Sequence, residues 1–139
     1  MSAELIIWPM IIIALTTLYI YIPMGQARVA GVKSGKTKAS VYKLNVGEPE
    51  ESLRFTNALR NQYETPTMFY AVCLAAYVTG NANIVMIVLA FAYAILKTAH
   101  IIIHIKTNNL RHRRPVFALA WIALIAMWLV LAVNLTGII

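Results

Sequence analysis

The sequence predicts an all-α integral membrane protein built as a bundle of four transmembrane helices, and three observations predict it. Of the 139 residues 60% are hydrophobic, and the mean hydropathy is +0.71. Charged residues make up only 12%, against roughly 25% in soluble domains. The apolar residues gather into four runs, 5–24, 65–79, 84–105 and 115–138, each near the ~20 residues that cross a ~30 Å hydrocarbon core except the second. That one reaches the required length only by extending back into the polar stretch RFTNALRNQYETP, so the stretch is expected to be helical. The chain reads as a single domain, 1–139, without internal repeats.

The first helix is expected over 5–24. Met1 to Glu4 has no basic start, Pro9 interrupts the run and no small-residue cleavage pattern follows, so the run is expected to stay as a helix rather than be removed. Loop one, from Gly25, is rich in Gly, Ser and Lys and turns acidic at Glu48, Glu50 and Glu51. Pro49 followed by carboxylates is a helix start, since negative side chains complement the unpaired N–H groups of a first turn. The second helix is expected over 49–79, with a kink near Pro66 and its first turns outside the hydrocarbon. The third is expected over 82–106 and the fourth over 115–138. Trp8, Tyr19, Tyr21, Trp121 and Trp128 include candidate interface anchors. The single cysteine, Cys73, excludes an intrachain disulfide and reads as a small buried hydrophobe.

The net charge of +7 raises nucleic acid as a partner, but its placement argues against one. Arg28, Lys33, Lys36, Lys38 and Lys43 fall in loop one, and Lys106, Arg111, Arg113 and Arg114 between the third and fourth runs. The connection TGNAN and both tails carry no lysine or arginine. With four spans this alternation puts loops one and three in the cytoplasm and both termini outside. Anionic headgroups would attract the same loops.

Arg54, Asn57, Asn61 and Glu64 are spaced by three, four and three residues, one stripe of the second helix. Arg60 stands four before Glu64, the spacing of an ion pair. On the third helix Lys97, His100 and His104 share a face. Charges inside a bilayer are costly, so such groups face a bundle interior or a wet cavity and are candidates for function; the bland alternative is interhelical glue. His100 and His104 have the spacing of metal ligands, with Glu64 as a third, but the lysine and arginines crowded around them disfavour a cation, and no metal is expected. A proton-coupled small transporter using Glu64 is a further reading.

The segments RNQYET, AHIIIH and RHRRPVF, in that order and on that four-helix plan, resemble the MAPEG superfamily, the membrane-associated proteins in eicosanoid and glutathione metabolism. The resemblance spans nearly the whole chain, and its specific part is the second helix and the end of the third. It implies that Arg60, Asn61 and Glu64 bind glutathione, that His100 is the third-helix histidine of the site, and that Arg113 is the arginine held near the sulfur. Arg54, Asn57 and Pro66 resemble the short bacterial members, which implies a bacterial inner membrane. Family members are trimers with the ligand between subunits, and a protomer this small cannot enclose a tripeptide alone, so a homotrimer is expected.

Glutathione presents two carboxylates, an ammonium and a thiol, which arginine, glutamate and amide side chains match. The implied activity is a glutathione transferase, with peroxidase activity as a variant, in which Arg113, with Arg111 or Arg114, holds the thiolate for attack on a lipophilic electrophile dissolved in the bilayer. Two positions depart from the active eukaryotic pattern: His104 and Phe117 stand where tyrosines are expected. Phe117 cannot donate to a thiolate, which keeps open a catalytically silent binding or regulatory protein.

Overall fold

The computed structural model describes residues 2–44 and 46–137, and among them there is no strand. A 3-10 turn, Ala3–Ile6, leads into α1, Ile7–Lys33. After it come the short α2, Val41–Leu44, then α3, Glu50–Gln62, α4, Thr65–Val78, α5, Ile84–Lys106, and α6, Leu110–Leu135. Three helices are long and apolar enough to cross a membrane: Ala3–Lys33, α5 and α6. The 14 residues of α4 span about 21 Å at 1.5 Å each, short of the hydrocarbon core.

Several boundaries differ from the sequence reading. The first helix does not stop near Met24 but runs to Lys33, so Arg28 and Lys33 stand on its last turns rather than in a loop. The reason is tertiary: Ile20, Met24 and Ala27 of α1 pack with Phe55, Ala58 and Leu59 of α3 and with Ile101 of α5, which extends the helix through Pro23 and Gly25. Pro9 lies in the first helical turn, where a missing N–H leaves little unpaired.

The second helix, expected over 49–79 with a kink, is two helices. It breaks after Gln62; Tyr63 lies at φ −97°, ψ 0° and Glu64 at φ −91°, ψ −89°, and α4 restarts with Pro66 in its first turn. Proline cannot donate to the carbonyl four residues back, Gln62, so the helical ladder ends there. In α3, Ser52, Phe55, Ala58 and Gln62 face inward at spacings of three, three and four, as an amphipathic helix requires.

The last two helices start on side-chain caps. Asn83 accepts from the Met86 N–H at 3.0 Å and starts α5 two residues later than expected. Asn109 accepts from the Arg111 N–H at 3.0 Å, so the segment RHRRP, expected as a connection, forms the first turns of α6. The link between them is tight because Asn108 takes the left-handed conformation, φ 49°, which asparagine tolerates better than most residues. The main core joins α1, α4, α5 and α6 around a stacked pair, Phe69 and Tyr93, with ring centroids 4.3 Å apart. Ala90, Ala94, Ala120 and Ala123 line the inner faces of α5 and α6, and such small side chains let membrane helices approach closely.

Candidate functional site

The buried face of α5 turns polar at Lys97, which is 0% exposed; His100 and His104 follow it, also buried. Lys97 and His100 are reached from different neighbours. From α3 and α4, Asn61 Oδ1 accepts from Lys97 Nζ at 2.7 Å and Thr65 Oγ1 accepts at 2.9 Å. Tyr93, one turn earlier on α5, donates its hydroxyl to the same Thr65 oxygen at 3.3 Å. From α6, Arg113 donates through Nε to His100 Nε2 at 3.3 Å and through Nη1 to Asn108 Oδ1 at 2.8 Å. A neutral His100 accepting at Nε2 carries its proton on Nδ1. That Nδ1, and Nδ1 of His104, are buried and have no hydrogen-bond partner among the described residues.

Asn61, His100, Leu110, Arg113, Arg114 and Phe117 line an open cleft of about 180 Å³ between α3, α5 and α6. Phe117 forms its apolar wall, with its ring 5.2 Å from that of His100 and 5.4 Å from Lys97 Nζ. Glu64 stands beside the cleft, its Oε2 accepting from Asn61 Nδ2 at 3.3 Å. Of the residues singled out in the sequence, Asn61, His100, Arg113 and Arg114 are thus brought together, with Glu64 adjacent and His104 one helical turn from His100. Arg54, Asn57, Arg60 and Arg111 are not: their side chains are exposed on the outside of this chain.

The expected Arg60–Glu64 ion pair is absent. The helix ends between the two residues, so the i,i+4 geometry no longer exists, and Glu64 is bonded by Asn61 instead. Among the described residues the ion pairs are Arg28–Glu48 at 2.9 Å and Lys36–Glu51 at 2.8 Å. The rings of His100 and His104 lie 5.8 Å apart, and among the described residues no group of three or more His, Cys, Asp or Glu is placed to hold a metal ion.

Thr65, Tyr93 and Asn108 escaped the sequence reading. Thr65 and Tyr93 sit in apolar runs where a hydroxyl carries no signal of its own. Asn108 adjoins the helix-capping Asn109, the one pointer to its position in a tight turn. A second polar cluster, away from the cleft, was also not foreseen. Arg28 Nε and the Thr56 hydroxyl both bond Glu48 Oε1, at 2.9 and 3.0 Å, tying the end of α1 to the start of α3. Burial pushes the Glu48 carboxyl up, but the hydrogen bonds from Arg28, Ser52 and Thr56 outweigh it and hold the group below its ordinary range.

Neither the curated proteins nor the solved structures include a significant match to this chain. The sequence model of the MAPEG family, however, matches residues 6–133, nearly all of the 139. The apolar helices long enough to span a bilayer agree with that match: this protein, with its polar seam buried between membrane helices, belongs to the MAPEG family.

Proposed function

We propose that the chain is a glutathione-dependent membrane transferase that binds the thiol in the cleft between α3, α5 and α6. The observation that carries the reading is the guanidinium of Arg113, held by His100 and Asn108 at the mouth of a cleft that also contains Asn61 and Arg114. Arg111, Arg113 and Arg114 all stand in the first turns of α6, where the helix already presents partial positive charge. Clustering cations there opposes stability and favours an anion.

The magnitudes suffice. A free thiol titrates near 8.5, and lowering that by two units takes about 2.7 kcal/mol of preference for the thiolate. One guanidinium at about 4 Å supplies about 4 kcal/mol at an effective dielectric of 20, before desolvation of the sulfur is subtracted. The thiol proton leaves to solvent. The thiolate then forms a C–S bond to an apolar electrophile drawn from the bilayer; with a chlorinated aromatic, chloride departs with the bonding pair.

The cleft of one chain is smaller than the roughly 300 Å³ at which ligand pockets begin, and Arg54, Asn57 and Arg60 are exposed on the outside of α3. A homotrimer accounts for both, with a neighbouring subunit closing the pocket over the exposed polar face. In the same reading α4 and the last turns of α3 together form a broken fourth span. An even number of spans then places the lysine-rich and arginine-rich connections on the cytoplasmic side, in keeping with a bacterial inner membrane. No nucleic-acid partner is proposed.

The test is spectroscopic. Purified protein with glutathione should show thiolate absorbance in the ultraviolet well below pH 8 and should turn over a chlorinated aromatic. Phe117 favours a second reading, binding without chemistry, because the apolar wall of the cleft offers no hydroxyl to sulfur. Bound glutathione with neither thiolate signal nor turnover would select that reading, and no binding at all would remove both.

A further inference from the structure

Lys97 has no role in the chemistry above, although among the described residues it is the one cation with 0% exposure. An ionised lysine persists there only where its N–H groups are matched. Its Nζ donates to Asn61 Oδ1 at 2.7 Å, to Thr65 Oγ1 at 2.9 Å and, at the long limit of 3.4 Å, to the Asn61 carbonyl. These acceptors straddle the break in the second helix: Asn61 is in the last turn of α3 and Thr65 opens α4. In an unbroken helix the Asn61 carbonyl would accept from the Thr65 N–H. Lys97 offers it an N–H in place of that bond.

An ammonium only donates, whereas an amide side chain donates at nitrogen and accepts at oxygen. With Oδ1 held on Lys97, Asn61 must turn Nδ2 the other way, where it meets Glu64 Oε2 at 3.3 Å beside the cleft that Asn61 lines. We infer that Lys97 is a positioning residue: by fixing the Asn61 amide it makes that wall of the cleft a hydrogen-bond donor, selecting a ligand group that accepts there, a carboxylate or a peptide carbonyl. The identity of the ligand rests on the glutathione reading; the orientation of the amide does not.

The test uses the full chain in lipid nanodiscs, labelled with [15N]asparagine, with glutathione as the probe. The Asn61 side-chain NH2 pair is identified by its loss in Asn61→Ala, and is expected to shift when glutathione saturates the wild-type protein. Lys97→Met is expected to weaken glutathione binding about tenfold. In an Asn61→Ala background the same change should weaken it by less than about twofold, because the group that Lys97 positions is gone. Lys97→Arg keeps the donors and should recover most of the affinity.

Additive losses in the two variants, or an Asn61 pair unmoved by glutathione that demonstrably binds, would overturn the role of Lys97 and leave the transferase reading standing. If wild-type protein binds no glutathione, the transferase reading falls instead. The orientation is then judged by the Asn61 pair alone, which is expected to move in Lys97→Met and to stay near its wild-type position in Lys97→Arg; a pair that ignores Lys97→Met would overturn it. Should Lys97→Met fail to fold, the wild-type titration and the Lys97→Arg affinity decide.

Discussion

In the N-terminal half of α5 the residues turned inward are Met86, Ile87, Ala90, Tyr93 and Ala94, whereas in the C-terminal half they are Lys97, His100, Ile101 and His104. The pattern is the same in both halves, steps of three or four residues with adjacent pairs at 86/87, 93/94 and 100/101, because helical period decides which positions face the bundle. What changes is the chemistry, and the neighbours change with it. The N-terminal half meets carbon: Phe69 stacks on Tyr93, and Met127, Ala123 and Leu131 of α6 complete the packing. The C-terminal half meets Asn61, Thr65 and Arg113, each a partner for a polar atom. Burial in a membrane helix therefore says little about role until the partner on the facing helix is known. One half holds the bundle together, and the other places donors and cations around a cleft.

A pair of substitutions, each at a residue packed against one half of α5, should separate the two roles, and the largest effect is expected here. Arg113→Ala should lower kcat by about a hundredfold or more, the scale of removing one preorganised donor from a developing or stabilised anion. Its thermal unfolding should stay within a few degrees of wild type, because Arg113 is only partly buried at the edge of the bundle. Phe69→Ala should do the reverse. It empties a fully buried, stacked position and should cost about 3 kcal/mol in unfolding titrations, while the protein that remains folded keeps its thiolate absorbance. If both variants lose stability alike, the division of α5 into a packing half and a chemical half is wrong.

How much of this was legible in the sequence follows from what carries each signal. Apolar length and charge alternation carry the membrane helices, and the three-and-four spacing carries Lys97, His100 and His104 to one face. Local chemistry also marks breaks, but only approximately. Pro66 announces a disturbance, yet whether the chain kinks or stops depends on whether a neighbour donates to the backbone carbonyls left at the break, and here Lys97 on another helix donates to that of Asn61. The extension of α1 to Lys33 is illegible for a similar reason. A segment with glycines and lysines reads as a loop until Phe55 and Ala58 are known to pack along its approach. The Arg60–Glu64 pair shows the converse, a sound local rule defeated because its helix ends two residues too soon.

The Arg28–Glu48 cluster sharpens the comparison, since it is polar and buried but lies away from the cleft. Glu48 has a side chain 0% exposed, whereas Glu51, bonded to Lys36, is 60% exposed. Glu48→Gln should therefore destabilise the protein by about 1–2 kcal/mol at pH 7, with glutathione binding unchanged, and Glu51→Gln should change neither measurably. The sign with pH follows from the lowered carboxyl of Glu48. Its folded-state value lies below the unfolded one, so its contribution is complete above the unfolded value near 4.3 and is lost as pH falls through the folded value. Unfolding followed from pH 7 to pH 3 should show the wild-type protein losing more stability than Glu48→Gln across that acidic window. Equal slopes would mean that the carboxylate is not held by Arg28 and Thr56 in solution.

The smallest effect expected is also the most direct probe of the cleft wall. Phe117 lies between the two halves in character, an apolar ring packed on His100 and facing Lys97 in a cleft otherwise lined by Asn61, Arg113 and Arg114. Phe117→Tyr adds one hydroxyl to that wall at almost constant volume. If sulfur binds beside Arg113, the hydroxyl gives the thiolate a second donor, and a hydrogen bond worth about 1 kcal/mol should lower the bound thiol's pKa by somewhat under one unit. The thiolate absorbance titration should move to lower pH by that amount, with stability unchanged. A titration that does not move would put the sulfur away from Phe117, and with it the electrophile's point of entry. A protein silent as wild type but active as Phe117→Tyr would show that the C-terminal half of α5 already provides the binding and that the missing donor was the obstacle to chemistry.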